Sequence, residues 1–179
     1  MLIPLPDADV SALVRLVTEH DGRSPVNELG ELALAGHRPG VCLAEKEGDG
    51  LDGFALVDQR ERTAQVAVHP QRRGRGIGTR LVRDVLERGL ADTFWAFGDS
   101  PSARAVASKT GLVATRRLLF MGRPLGPVSP TTPPPGVVLR PFSDADAADI
   151  VRVNAAAFAS HPEQGRLTLA DFHTLAAQP

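Results

Sequence analysis

Two spacings of apolar residues take turns along this chain, and their order predicts its elements. In "DADVSALVRLVTEH" (7–20), Val10, Leu13, Val14 and Val17 recur three and four residues apart, the spacing of one helix face, with Asp7 or Asp9 as the N-cap. A second helix is predicted across "PVNELGELALAG" (25–36), closing at Gly36. The period then shortens to two. "GVCLAEKE" (40–47), "LDGFALVDQ" (51–59) and "TAQVAVHP" (63–70) alternate between turns that contain Gly and Asp, which predicts an antiparallel meander. Ile77, Leu81, Val85 and Leu86 restore the helical spacing to about Leu90. "TFWAF" (93–97) is a short strand, "PSARAVASKTGL" (101–112) a helix begun by Pro101 and ended by Gly111, and "ATRRLLFMGRPL" (114–125) a last strand. The predicted order is ααβββαβαβ, a mixed α/β sandwich.

After this the pattern stops and restarts. Four prolines in the nine residues "VSPTTPPPG" (128–136) withdraw the N–H groups that a helix or ladder needs, so the segment reads as a stiff linker. It separates a domain over 1–127 from a tail over 137–179, too short to bury a core of its own. The tail repeats the opening theme: a strand in "GVVLRPF" (136–142), a helix in "DADAADIVRVNAAAFA" (144–159), and a helical stretch from Leu167.

Composition narrows the chemistry. Twenty basic and 21 acidic residues leave a net charge of -1, so no bulk attraction draws the protein to nucleic acid or anionic membrane, and any anion site must be local. The single cysteine, Cys42, excludes an intrachain disulfide and a cysteine-based zinc site; in a predicted strand it suits a buried apolar role, as do Trp95 and Phe97. No apolar run approaches membrane-spanning length and no secretory signal is present, so a cytoplasmic monomer is expected.

The local anion site is written in "VAVHPQRRGRGIGTRL" (66–81), where Gly74, Gly76 and Gly78 lie between a strand and a helix. A helix that begins there points its first N–H groups outward at the positive end of its dipole, and glycine lets a phosphate approach them. A Walker loop would need a lysine after Gly78, where Thr79 stands. A dinucleotide fold would need G-x-G-x-x-G in a parallel βαβ unit, and here G-x-G-x-G follows an antiparallel meander. Gln71-x-x-Gly74-x-Gly76 after such a meander fits the pyrophosphate loop of the GNAT acetyltransferases. The six arginines between 72 and 88 have no interleaved aromatic residues for base stacking, which weighs against a nucleic-acid surface.

The chain also resembles the mycothiol synthases, a family of tandem GNAT acetyltransferases. The likeness is carried by "PVNE" (25–28), "VAVHPQRRGRGIGT" (66–79), "FWAFG" (94–98), "GLVATRRLLFMGRPL" (111–125), "GVVLRP" (136–141) and "RVNAAAFASHPEQG" (152–165), whose HPEQG ending is the most specific. The resemblance implies a GNAT acyl-CoA N-acyltransferase fold, a mixed and mostly antiparallel sheet flanked by helices, followed by a partial second GNAT unit. It implies acetyl transfer from acetyl-CoA to the cysteinyl amine of Cys-GlcN-inositol, with no metal. Val66, Ala67 and Val68 then correspond to the segment that pairs with the pantetheine arm. Gly74, Arg75, Gly76, Ile77, Gly78 and Thr79 correspond to the pyrophosphate cradle, and Glu28 and Glu163 to carboxylates that hold the cationic, polyhydroxylated acceptor. The family's catalytic unit is the second, whose Gly loop and catalytic residues are expected beyond Pro179.

Against the general GNAT pattern, the first domain lacks proton-transfer groups. Where many members carry a Glu base on the central strand this chain has Gln65, and four residues before Gly111, the place of the Tyr acid, stands Ala107; there is no tyrosine at all. His69, before Pro70 at a strand end, reads as a turn or core residue rather than a substitute base. The first domain is therefore expected to hold acetyl-CoA without turning it over. A stand-alone acetyltransferase with Glu28, Glu31 or His37 as base, and a non-catalytic scaffold, are the alternatives.

Overall fold

A computed structural model of the chain describes residues 1–47, 50–127, 132–160 and 167–177. They form two compact units, Met1–Val113 and Ala114–Pro179. The first carries β1 (Leu2–Pro4), α1 (Ala8–Asp21), α2 (Glu28–Leu34), β2 (Val41–Glu47), β3 (Gly50–Asp58), β4 (Thr63–Val68), a 3-10 turn (Pro70–Arg72), α3 (Ile77–Glu87), β5 (Thr93–Trp95) and α4 (Pro101–Thr110). The five strands lie in the order β1-β2-β3-β4-β5. β1 to β4 pair antiparallel and β5 joins β4 in parallel. Strand β1 has too few residues to show a period and was not expected.

Alternation along the strands assigns the two faces of the sheet. Cys42, Ala44, Phe54, Leu56 and Ala67 pack with Val10, Leu13, Val14 and Val17 of α1. Their neighbours Leu43, Ala55, Val57 and Ala64 pack on the other face with Ile77, Leu81 and Val85 of α3. β3 is buried on both sides, which is why its sequence runs almost continuously apolar. Burial pushes the Cys42 thiol, fully enclosed in the first cluster, up to about 12. Helix starts follow the sequence: the Asp7 carboxylate accepts the N–H groups of Asp9 and Val10, both at 3.0 Å, and Ser100 accepts that of Ala103 at 3.1 Å.

The second unit contains a 3-10 turn (Asp144–Asp146), α5 (Ala147–Ala157) and α6 (Leu169–Ala176). Arg140 clamps the Asp146 carboxylate with two contacts of 2.6 and 2.5 Å, and Phe142 meets Phe172 edge-on at 5.7 Å. Both segments predicted as strands, over 114–125 and 136–142, form no ladder, Gly136 lying in a turn at φ 84°, and Leu118, Leu119, Phe120 and Val138 are exposed. A strand exists only through a neighbouring strand that takes up its N–H and C=O groups, and among the described residues no strand pairs with either segment. Among the described residues, no helix is long and apolar enough to cross a membrane.

Helix α3 lies close to the sheet because Gly53 has no side chain. A Cβ there would stand 2.9 Å from Ile77 Cγ2, 3.0 Å from the Ala67 carbonyl oxygen and 3.2 Å from Leu81 Cδ1. Gly53→Ala is accordingly expected to destabilise the unit by about 1–3 kcal/mol through overpacking, read as a lower urea midpoint at unchanged slope. An unchanged midpoint would show that α3 can lift without cost.

Candidate anion-binding site

The site is assembled where β4 gives way to α3. The turn after β4 is tied back by the His69 N–H, which donates to the Asp52 carbonyl at 2.8 Å. The imidazole Nδ1 of His69 accepts the Gln71 N–H at 3.2 Å, so His69 serves as a turn cap. Gly74 and Gly76 follow with φ of 79° and 80°, the left-handed region that glycine enters without strain. Gly76 is also the N-cap of α3, and with no side chain it caps nothing. Asp7, Asn27 and Ser100 perform that service for α1, α2 and α4. The N–H groups of Gly76, Ile77, Gly78 and Thr79 consequently have no intrahelical acceptor and lie at the positive end of the α3 dipole. Ile77 and Thr79 are buried, so what they can offer a ligand is backbone. At Gly78 a Cβ would meet only ordinary contacts, 3.5 Å to Val106 and 3.6 Å to Val68.

Beside this loop the sheet opens. β5 pairs with β4 only from Thr63 to Gln65, whereas β3 continues along β4 to Val68. Among the described strands, none covers the outer edge of Val66, Ala67 and Val68. That edge can take up the amides of an extended ligand as a further strand would.

Three of the four arginines near the loop are engaged within the protein. Arg72 Nε meets Asp52 at 3.0 Å; Arg73 forks onto Asp21 at 2.9 and 2.7 Å, holding that carboxyl down to about 2; and Arg80 forks onto Glu45, its closest contact 2.7 Å. Among the described residues, Arg75 has no ion pair and is exposed. It is the cation left over for an anion.

Gln65 is buried and fully used. Its Oε1 accepts the Asn27 N–H at 2.9 Å while its Nε2 donates to Asn27 Oδ1 at 2.8 Å, and that same oxygen accepts the Gly30 N–H at 2.9 Å. The side chain thus pins the start of α2 to β4 and places Glu28, exposed in the first turn of α2, next to the pinned residue. Glu31 accepts the Ser24 hydroxyl at 2.9 Å, and His37 is exposed beyond the end of α2. Ala107 lies in the last turns of α4, its carbonyl accepting the Leu112 N–H at 2.9 Å. Glu163 lies outside the described residues. Sequence reasoning missed Asn27, Asp52, Asp21 and Glu45, whose partners are distant in the chain; only Asn27, at a predicted helix start, carried a local signal.

The Gln65 clamp generates a signed prediction. In Gln65→Glu the ionised carboxylate has no proton for Asn27 Oδ1 and sets two acceptors face to face, a cost of about 1–3 kcal/mol near pH 7. Protonation restores the donor, so the folded state raises the pKa of the introduced group above the unfolded value of about 4.3. Stability relative to the parent is then retained below that value and lost as pH rises through the folded pKa. Urea unfolding at pH 4.5 and 7.5 measures this, and an equal deficit at both would contradict the clamp.

Comparison with known proteins places part of the chain in a known family. Residues 37–107, which include β2–β4, the glycine loop and α3, match the model of the acetyltransferase (GNAT) domain. The mycothiol acetyltransferase of Rhodococcus opacus (strain B4) is 43% identical over 171 residues, covering 90% of this chain and 56% of its own. That of Sanguibacter keddieii is 41% identical over 197 residues, covering 98% and 62%. The chain therefore spans a little more than half the length of these relatives. Among solved structures, the aminoglycoside antibiotic 6'-N-acetyltransferase AAC(6')-IG from Acinetobacter haemolyticus aligns with a TM-score of 0.45 at 14% identity, covering 70% of this chain and 99% of its own. By its sequence kinship the chain carries a GNAT acetyltransferase domain over residues 37–107 and is similar, along nine tenths of its length, to the mycothiol acetyltransferases.

Proposed function

We propose that the unit Met1–Val113 holds acetyl-CoA without turning it over, within a protein that acetylates the cysteinyl amine of Cys-GlcN-inositol. The observation that carries the reading is the uncapped start of α3 behind two left-handed glycines, with Arg75 as a loop cation that has no ion pair among the described residues. The N–H groups of Gly76 to Thr79 would bind the pyrophosphate together with Arg75, and the edge of Val66–Val68, which no described strand covers and whose Val68 carbonyl accepts Arg73 Nε at 3.3 Å, would pair with the pantetheine amides. Acetyl-CoA supplies a thioester acyl donor.

Transfer to an amine also needs a base that leaves the amine neutral and an acid for the departing thiolate. Gln65 cannot accept a proton at neutral pH and its amide is committed to Asn27; Ala107 has nothing to donate. Those two positions support binding over turnover in this unit. Glu28 and Glu163 are assigned to the acceptor: a carboxylate pairs with an ammonium and accepts sugar hydroxyls.

Titration calorimetry with acetyl-CoA and a thiol-release assay with Cys-GlcN-inositol test the reading together. Binding without thiol release is expected; rapid release by this chain would overturn the degeneracy, and absence of binding would favour a scaffold. Gly76→Asp should weaken binding more than about tenfold, since it adds a charge and a side chain at positive φ. Arg75→Ala should weaken binding and flatten its salt dependence; an unaltered salt slope would remove Arg75 from the phosphate contacts.

A further inference from the structure

Three carboxylates surround a loop assigned to an anionic ligand. By charge alone each works against binding, so their presence calls for a different explanation. Two of them come from one irregularity in the sheet. Along β2 and β3, Glu45 is opposite Gly53 but Lys46 is opposite Leu51, so Asp52 is an extra residue on β3. Such a bulge bends the strand and re-aims the side chains around it.

Asp52 holds the first half of the loop with both of its acceptors. Its backbone carbonyl takes the His69 N–H at 2.8 Å, and its carboxylate, 7% exposed, takes Arg72 Nε at 3.0 Å. Glu45 acts on the second half. It shares the face of Gly53, where α3 packs, and its two oxygens receive Arg80 Nε at 3.0 and 3.3 Å and Nη2 at 2.7 Å. With those donors fixed, the remaining Nη1 of Arg80 donates to the Arg75 carbonyl at 3.1 Å. The backbone N–H of Arg80 donates to the next carbonyl, that of Gly76, at 3.0 Å. One arginine thus holds two successive peptide units. In a trans peptide the C=O and N–H point in opposite directions, so fixing these oxygens turns the Gly76 and Ile77 N–H groups away from Arg80. A Cβ on Gly76 would stand 3.3 Å from Arg80 Nη1, the seat that this brace occupies.

We propose that the β2–β3 bulge is a positioning device for the phosphate loop: Glu45, acting through the Arg80 guanidinium, orients the Gly76 N–H group, and Asp52, acting through Arg72 and His69, fixes the turn that precedes it. Neither carboxylate touches the ligand. The proposal rests on the acetyl-CoA reading for its effect on affinity, and on the ligand-free loop for its effect on shape.

Glu45 and Arg80 are exposed enough that their pair adds little to stability, so a binding loss in their variants is separable from unfolding. Glu45→Ala, Glu45→Gln, Arg80→Ala, Arg80→Lys and the double variant Glu45→Ala/Arg80→Ala are titrated with CoA and with inorganic pyrophosphate, and their thermal melts recorded. Glu45→Ala and Arg80→Ala should each lose about five- to tenfold in affinity at an unchanged melting temperature, and the double variant no more than either, as for members of one network. Arg80→Lys should not rescue, because an ammonium cannot fork onto a carboxylate and reach a second acceptor. Glu45→Gln, which keeps one acceptor, should fall between. Full affinity in Glu45→Ala, or losses that multiply in the double variant, would overturn the proposal. If the parent binds neither probe, the acetyl-CoA reading fails, and the brace is decided by the amide resonances of Gly74, Gly76 and Ile77 in ligand-free protein. Those should shift and exchange faster in Glu45→Ala; identical spectra would overturn it.

Discussion

The approach of α3 to the sheet over Gly53 is the constraint on which the rest of the first unit depends. Because no Cβ stands there, Ile77 and Leu81 reach the backbone of β3 and β4, and the N-terminus of α3 is brought level with the end of β4. The connection between them must then reverse within a few residues, which the 3-10 turn and two left-handed glycines accomplish. The same reversal leaves the first N–H groups of α3 without a side-chain cap. The candidate anion site is therefore tied to core packing through a residue with no side chain in the middle of β3.

On the opposite face of the sheet, the one buried amide of β4 serves architecture. Gln65 occupies the strand position where a carboxylate could serve as base, and both ends of its amide are spent on the start of α2. That arrangement demands a donor and an acceptor on one side chain, which glutamine has and an ionised glutamate has not. A gain in the rigidity of α2 and the loss of a proton acceptor follow from the same hydrogen bonds. The clamp holds the start of α2 to β4 with no titratable group at that position of the strand.

Much of this was legible in the sequence where physics is local. The period-two runs of 40–70 predicted the meander, and the helical spacing of Val10, Leu13, Val14 and Val17 predicted the buried face of α1. Caps at Asp7 and Gly111 were readable because a cap acts within four residues of itself. The apolar runs of 114–125 and 136–142 read as strands because alternation reports a propensity; a strand further requires a partner, which a run of letters does not name. The arginines of the loop failed for a related reason. In sequence they form a basic patch, yet Arg73 belongs to Asp21, Arg72 to Asp52 and Arg80 to Glu45, at separations that only the folded sheet closes. Arg75 looked like its neighbours and is distinguished from them only by what surrounds it.

The enclosure of Cys42 has a consequence for the redox chemistry of the molecule. A thiolate is the species that attacks disulfides and thioesters, and with the thiol raised to about 12 only on the order of one molecule in 10⁵ would carry it at pH 7. The sole sulfhydryl of the chain is therefore silent toward small thiols, disulfides and acyl thioesters as long as the core is closed.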